Sequence, residues 1–84
     1  MKLKVLFFAS LREQLGSGGE MEVPASVTTV AALREHLRAQ GGAYEKAFAG
    51  KALVRAAINQ DMVQPGAAIK AGDEVAFFPP VTGG

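Results

Sequence analysis

Two hydrophobic periodicities divide the chain into short strands and one main helix. Near the N-terminus, Leu3, Val5 and Phe7 alternate with lysines, which is the period of a β-strand with one buried face. In residues 28–42, apolar side chains recur every three or four positions, which is typical of an amphipathic helix. The same reasoning predicts strands at 2–8, 20–23, 52–59, 62–63 and 74–78, and helices at 10–16, 28–42 and 44–50.

Capping and turn residues set the ends of these elements. Ser10 and Glu13 have the spacing of a capping box, which predicts a side-chain cap at the start of the first helix. Thr28 or Thr29 is expected to cap the main helix. Pro65–Gly66 suits the centre of a type II turn.

The order of elements predicts an α+β domain, in which one main helix packs on one face of a mixed sheet. If the last strand lies parallel beside the first, this arrangement is a β-grasp. We expect residues 1–78 to form this single domain and residues 79–84 to form an extended C-terminal tail.

Composition narrows the function classes. The 84 residues suffice for one domain, and nine basic against eight acidic residues give a net charge of +1, which does not favour nucleic acid as a partner. No cysteine is present, which excludes disulfides, thiolate metal sites and a cysteine nucleophile. His36 lacks neighbours at a convincing ligand spacing, so no metal site is expected. No apolar run is long enough to cross a membrane, and we expect a cytoplasmic protein.

Alternation leaves large apolar side chains on the sheet face opposite the main helix. In the last strand Glu74 marks the solvent side, and Phe78 lies on that side. Leu6 and Phe8 lie on the corresponding side of the first strand, and Met62 extends the group. A covering loop or helix is one explanation, but a cluster of this size beside a chain end favours a docking surface.

The last residues, FFPPVTGG, combine rigid and small side chains. Pro79 and Pro80 cannot donate to a strand ladder and hold the chain extended, so that residues 79–84 can reach about 20 Å at roughly 3.3 Å per residue. Tail insertion into a partner is predicted for Pro79, Pro80, Val81, Thr82 and Gly83, because the glycine would pass a constriction that excludes a Cβ.

The reactive group of such a tail is the α-carboxylate of Gly84. This group is ionised at neutral pH and is a poor electrophile until it is activated, most simply by ATP. No phosphate-binding loop occurs in the chain, since Gly16–Gly19 lacks the required lysine. The activation is therefore expected to come from another protein.

Three stretches of the sequence, KVLFFASLRE, AAINQDMV and GDEVAFFPPVTGG, resemble the small, sulfur-carrying subunits of molybdopterin synthase, a ubiquitin-like β-grasp family. The resemblance runs along the full chain. It implies that an ATP-dependent activating enzyme adenylates Gly84, that a sulfur donor converts it to a thiocarboxylate, and that the tail delivers this sulfur to cyclic pyranopterin monophosphate in the large subunit.

The resemblance also implies partners and docking residues. Phe8, Met62 and Phe78 are expected to dock against the large subunit and the activating enzyme, with two small subunits on a large-subunit dimer. No cofactor is expected to bind stably, and the chain is not expected to be catalytic alone. Alternatives are a ubiquitin-like protein modifier, a sulfur carrier for thiamin synthesis or tRNA thiolation, and a binding module with an inert tail.

Overall fold

The computed structural model describes residues 1–49 and 54–79, and in this part of the chain five strands form one sheet. The strands are β1 (Lys2–Phe7), β2 (Gly18–Glu22), β3 (Arg55–Ile58), β4 (Asp61–Val63) and β5 (Glu74–Phe78), and the helices are α1 (Ser10–Leu15), α2 (Val30–Arg38) and α3 (Gly42–Ala47). The strand order is β2-β1-β5-β3-β4. Strands β1 and β5 are parallel and the other pairs are antiparallel, so the predicted mixed sheet and α+β class are confirmed.

The core lies between one face of this sheet and the helices. On β1 the alternating residues Leu3, Val5 and Phe7 are at most 1% exposed, as their period predicts. The apolar stripe of α2 and the matching residues of β5 also belong to the core: Val30, Leu33, Leu37, Val75 and Phe77. Burial of these side chains is the main stabilising contribution to the fold.

Helix α2 is capped by one of its two candidate threonines. Thr29 has an extended backbone, and its hydroxyl accepts a hydrogen bond from the Ala32 N–H at 3.1 Å. The helix is shorter than predicted, since it runs from Val30 to Arg38 and not over residues 28–42.

We expect Thr29→Ala to lower the free energy of unfolding by about 1 kcal/mol, because the Ala32 N–H loses its acceptor. Urea denaturation measures this loss. Thr28→Ala is the matched control, since the Thr28 side chain is exposed and the neighbouring hydroxyl provides the cap. An equal loss in both variants would contradict the assignment of the cap.

Two local predictions are wrong. Helix α1 begins at Ser10, and the position before it is Ala9, with no side-chain hydrogen bond at the cap. Ser10 is already helical, so the predicted capping box with Glu13 does not form. At Pro65–Gly66 the Ala67 N–H bonds to the Gln64 carbonyl, but Gly66 does not have the positive φ that a type II turn requires.

The residue that follows helix α3 is an aromatic core residue to which the sequence pattern assigned no role. Phe48, directly after this helix, has no exposed surface. Its ring centroid lies 6.2 Å from that of Phe7 and 5.2 Å from that of Phe77. The described part of the segment 41–51 therefore joins the first and last strands to the helical layer.

A buried carboxylate fixes the start of β5. Asp73 is 6% exposed and accepts hydrogen bonds from the Asn59 side-chain amide at 3.1 Å and from the Lys70 N–H at 3.0 Å. The Asn59 side-chain oxygen accepts in turn from the Glu74 N–H at 3.0 Å. Asn59 and Gln60 both have positive φ, as the tight turn between β3 and β4 requires. Asp73 thus ties this turn to the central strand.

Candidate functional site

The sheet face opposite α2, here called the open face, carries an apolar row across four strands. Leu6 pairs with Ala76, Ala76 with Ala57, and Ala57 with Met62, so the four side chains lie on one face. The two alanines are buried, at 3% for Ala57 and 8% for Ala76, although neither belongs to the core cluster. Ala76 lies on the same side of β5 as Glu74 and Phe78, but its neighbours cover its small side chain.

An aromatic pair lies beside this row. The rings of Phe8 and Phe78 are stacked, with centroids 4.9 Å apart and planes 9° from parallel. Phe8 is 39% exposed and Met62 is 53% exposed, whereas Phe78 is half-buried because the Phe8 ring covers it. The structure therefore places all three predicted docking residues on the open face and leaves Phe8 and Met62 uncovered. Their contact with a partner stays a prediction.

The opposite end of the open face is charged. Lys4 lies between Glu20 and Glu74 in the strand register, and Lys2 lies opposite Glu22. Oppositely charged side chains at such cross-strand positions attract each other weakly and keep this end hydrated. Within the described residues, the apolar part of the open face therefore lies toward the end at which β5 finishes, where the exposed Arg55 is paired with Phe78.

The chain leaves the sheet from its central strand, next to the aromatic pair. The Phe8 N–H donates to the Phe77 carbonyl at 3.2 Å, and Pro79 has no N–H with which to continue the ladder. Phe78 is accordingly the last residue of β5. The predicted tail residues Pro80, Val81, Thr82, Gly83 and Gly84 lie outside the described residues, so their roles stay predictions.

The polar face of α2 offers no comparable site. Arg38 bonds to Glu35 at 2.8 Å, and this hydrogen bond, together with the charge of Glu35, raises the pKa of Arg38. Arg34 donates to the Ala49 carbonyl at 3.5 Å, and His36 is half-buried. Within residues 1–49 and 54–79, no three His, Asp or Glu side chains are placed to hold a metal ion, and no helix has the length and apolarity to cross a membrane.

Comparison with known proteins agrees with this geometry. Residues 5–84 match the ThiS family. The molybdopterin synthase sulfur carrier subunit of Escherichia coli (strain K12) is 49% identical over 82 residues, which cover 98% of this chain and 99% of that protein. Its counterpart from Haemophilus influenzae is 47% identical over 83 residues, with the same coverage. The crystal structure of SAMP1 from Haloferax volcanii superposes with a TM-score of 0.77 at 30% identity and covers 100% of both chains.

The chain belongs to the ThiS family, and its fold is the ubiquitin-like β-grasp. Within that class it groups with the molybdopterin synthase sulfur carrier subunits, over nearly the full length of the chain. The resemblance read from the three sequence stretches is therefore confirmed. Sequence alternation had placed Phe8 and Phe78 on one face, but their stacking depends on the register of β1 against β5 and was not predicted.

Proposed function

We propose that this chain is the sulfur-carrying small subunit of a molybdopterin synthase. The observation that carries the proposal is the stacked aromatic pair, with its exposed Phe8 ring, beside the point at which the chain leaves the central strand. An apolar docking surface next to a tail allows a partner to hold the domain while it works on the chain end. The identity of 49% to a curated sulfur carrier subunit supports the same function.

The chemistry begins at the carboxylate of Gly84. An activating enzyme transfers the adenylate group of ATP to this carboxylate and releases pyrophosphate, which creates a good leaving group on the carbonyl carbon. A sulfur donor then displaces AMP, and the product is a thiocarboxylate. This sulfur is anionic and polarisable, so it attacks a carbon of cyclic pyranopterin monophosphate without a general base from this chain. The attack forms a thioester between Gly84 and the substrate, and its hydrolysis breaks the acyl carbon–sulfur bond, leaves the sulfur on the substrate and regenerates the Gly84 carboxylate.

The contribution of this protein to the reaction is to position the sulfur. Bound through the open face, it holds its sulfur near the substrate at a high effective concentration, whereas free sulfide would have to diffuse there. The chain is not catalytic alone and holds no cofactor stably, because ATP is used by the activating enzyme and the substrate is bound by the large subunit. Two small subunits on a large-subunit dimer complete the proposed heterotetramer.

The two partners compete for one surface. Both act on Gly84, and the apolar end of the open face is the part that adjoins the tail. A complex with the activating enzyme and a complex with the large subunit are therefore mutually exclusive, and the carrier must dissociate from one before it binds the other.

Reconstitution tests the proposed function. The purified chain is treated with an activating enzyme, ATP and a sulfur donor, and then mixed with the large subunit and cyclic pyranopterin monophosphate. We expect intact-mass spectrometry to show the mass gain of one oxygen exchanged for sulfur, followed by formation of the dithiolene. A thiocarboxylated chain that binds the large subunit but yields no dithiolene would refute the proposal.

We expect Phe78→Lys to weaken binding of both partners by about 2–4 kcal/mol, because it replaces one ring of the stacked aromatic pair by a charge. Isothermal titration calorimetry measures both affinities. Ala31→Lys is the matched control, since Ala31 is exposed on α2, on the other side of the sheet. Unchanged affinity for both partners in Phe78→Lys would show that docking uses another surface.

A protein modifier is the second candidate function. It is favoured by the similarity to the Haloferax volcanii protein, which a second crystal structure describes as small archaeal modifier protein 1, at 29% identity and a TM-score of 0.75. A modifier would be recovered from cells as isopeptide conjugates on lysines of other proteins. A sulfur carrier would be recovered as the unconjugated chain that bears the thiocarboxylate.

A further inference from the structure

The turn that joins β1 to α1 has an unusual backbone. Ala9 has φ 53° and ψ −130°, and the Leu11 N–H donates to the Phe8 carbonyl at 3.2 Å. These are the features of a type II′ turn with Ala9 at its first central position, where glycine is normally preferred. An alanine in this conformation is strained, and such strain persists only where the surrounding structure over-determines it.

The surroundings hold Phe8 from both sides. Its N–H donates to the Phe77 carbonyl at 3.2 Å, and its own carbonyl accepts from Leu11 and, at 3.4 Å, from Arg12. Leu11 is 3% exposed and belongs to the core cluster, so it anchors the far side of the turn. Phe8 is thus an exposed side chain on a backbone that is fixed to β5 on one side and to the core on the other.

The ring that this backbone presents is stacked on Phe78, the last strand residue before Pro79. We propose that Phe8 is a positioning residue: its stacked ring fixes the side chain of Phe78, and with it the point at which the chain leaves the sheet, before any partner is bound. A docking residue contributes contact area to the complex. A positioning residue in addition lowers the ordering cost of the reaction inside the complex.

The consequence for sulfur transfer rests on the proposed function, whereas the positioning itself does not. If the stack fixes in advance the point at which the chain leaves the sheet, loss of the stack lowers the rate of sulfur transfer within the complex more than it lowers the affinity for the large subunit. If Phe8 serves docking alone, the affinity falls and the rate at saturating large subunit does not.

The first test uses the free protein and requires no partner. Three-bond couplings from the backbone N and C′ of Phe78 to its Cγ report whether χ1 holds one rotamer. We expect single-rotamer values in the parent chain and in Phe8→Tyr, which keeps the ring, and averaged values in Phe8→Leu, which keeps an apolar side chain without it. Single-rotamer values in a folded Phe8→Leu would overturn the proposal.

Ala9→Gly tests whether the surroundings define the turn. Glycine adopts this backbone without strain, so we expect a higher Tm and unchanged Phe78 couplings. Averaged couplings in this variant would show that the hydrogen bonds of Phe8 do not hold its ring, and would contradict the proposal.

The second test uses thiocarboxylated chains with saturating large subunit in single-turnover experiments. We expect Phe8→Leu to lower the transfer rate constant by about tenfold or more, with a smaller change in Kd, and Phe8→Tyr to restore the rate. If a Phe8→Leu chain transfers sulfur at the parental rate but binds the large subunit with a higher Kd, Phe8 acts in docking alone. If the thiocarboxylated parent chain transfers no sulfur, the proposed function fails, and the Phe78 couplings still decide the positioning.

Discussion

Removal of Gly84 is expected to abolish sulfur delivery and to leave the domain folded. The truncated chain still ends in a carboxylate, on Gly83, but that group is displaced by the length of one residue, roughly 3.3 Å. A misplacement of about 1 Å at a reacting centre can cost 10²-fold in rate, so we expect a loss of at least this size. Dithiolene formation measures the activity, and thermal unfolding shows whether the fold is kept.

Gly84→Ala tests whether the width of the tail matters when its length is unchanged. The added methyl group keeps the chain length but obstructs any passage shaped for glycine, so we expect a severe loss of activity here as well. Gly66→Ala is the matched control, because a Cβ at this exposed position meets no atom within 4 Å. Full activity in either Gly84 variant would contradict the role proposed for the tail.

Phe48→Ala is expected to lower the free energy of unfolding by about 3–5 kcal/mol. Phe48 is fully buried against the rings of Phe7 and Phe77, and its truncation leaves a cavity between the helical layer and the two strands that form the tail exit. Domains have net free energies of unfolding of only about 5–15 kcal/mol, so this one substitution would remove a large part of the stability.

Urea denaturation followed by circular dichroism measures this loss. Phe48→Leu fills part of the cavity and should lose less than the alanine variant. Lys46→Ala serves as the control within α3, because Lys46 is exposed and a surface change there should stay within about 0.5 kcal/mol. A loss below about 1 kcal/mol in Phe48→Ala would mean that this ring does not support the core.

Some of the architecture could be predicted because it depends on short sequence periods. Alternation in β1 and β5 assigned the core faces correctly, since neighbouring side chains of a strand must point to opposite sides. The candidates for the N-cap of α2 could be limited to two threonines for a similar reason, because the capping hydrogen bond joins residues only three positions apart.

Other features could not be predicted because their determinants are distant or are overridden by tertiary contacts. The Ser10–Glu13 spacing fits a capping box, but the turn at Ala9 makes Ser10 the first helical residue. Phe48 lies in a weakly patterned segment, and only its packing on Phe7 and Phe77 reveals its importance. Local preference is a weak signal whenever such contacts compete with it.

The sequence by itself determined the family, through motifs near both ends, and the faces of the strands, through a period that each strand carries within itself. Only the tertiary structure decided how the open face is built. The stack of Phe8 on Phe78 and the alignment of Leu6 with Ala76 arise from the register between β1 and β5, which lie far apart in the chain, and the tight turn between β3 and β4 adds Met62 to the row. That register is set by the packing of the whole core, because a shift by one residue would turn every buried side chain to the opposite face.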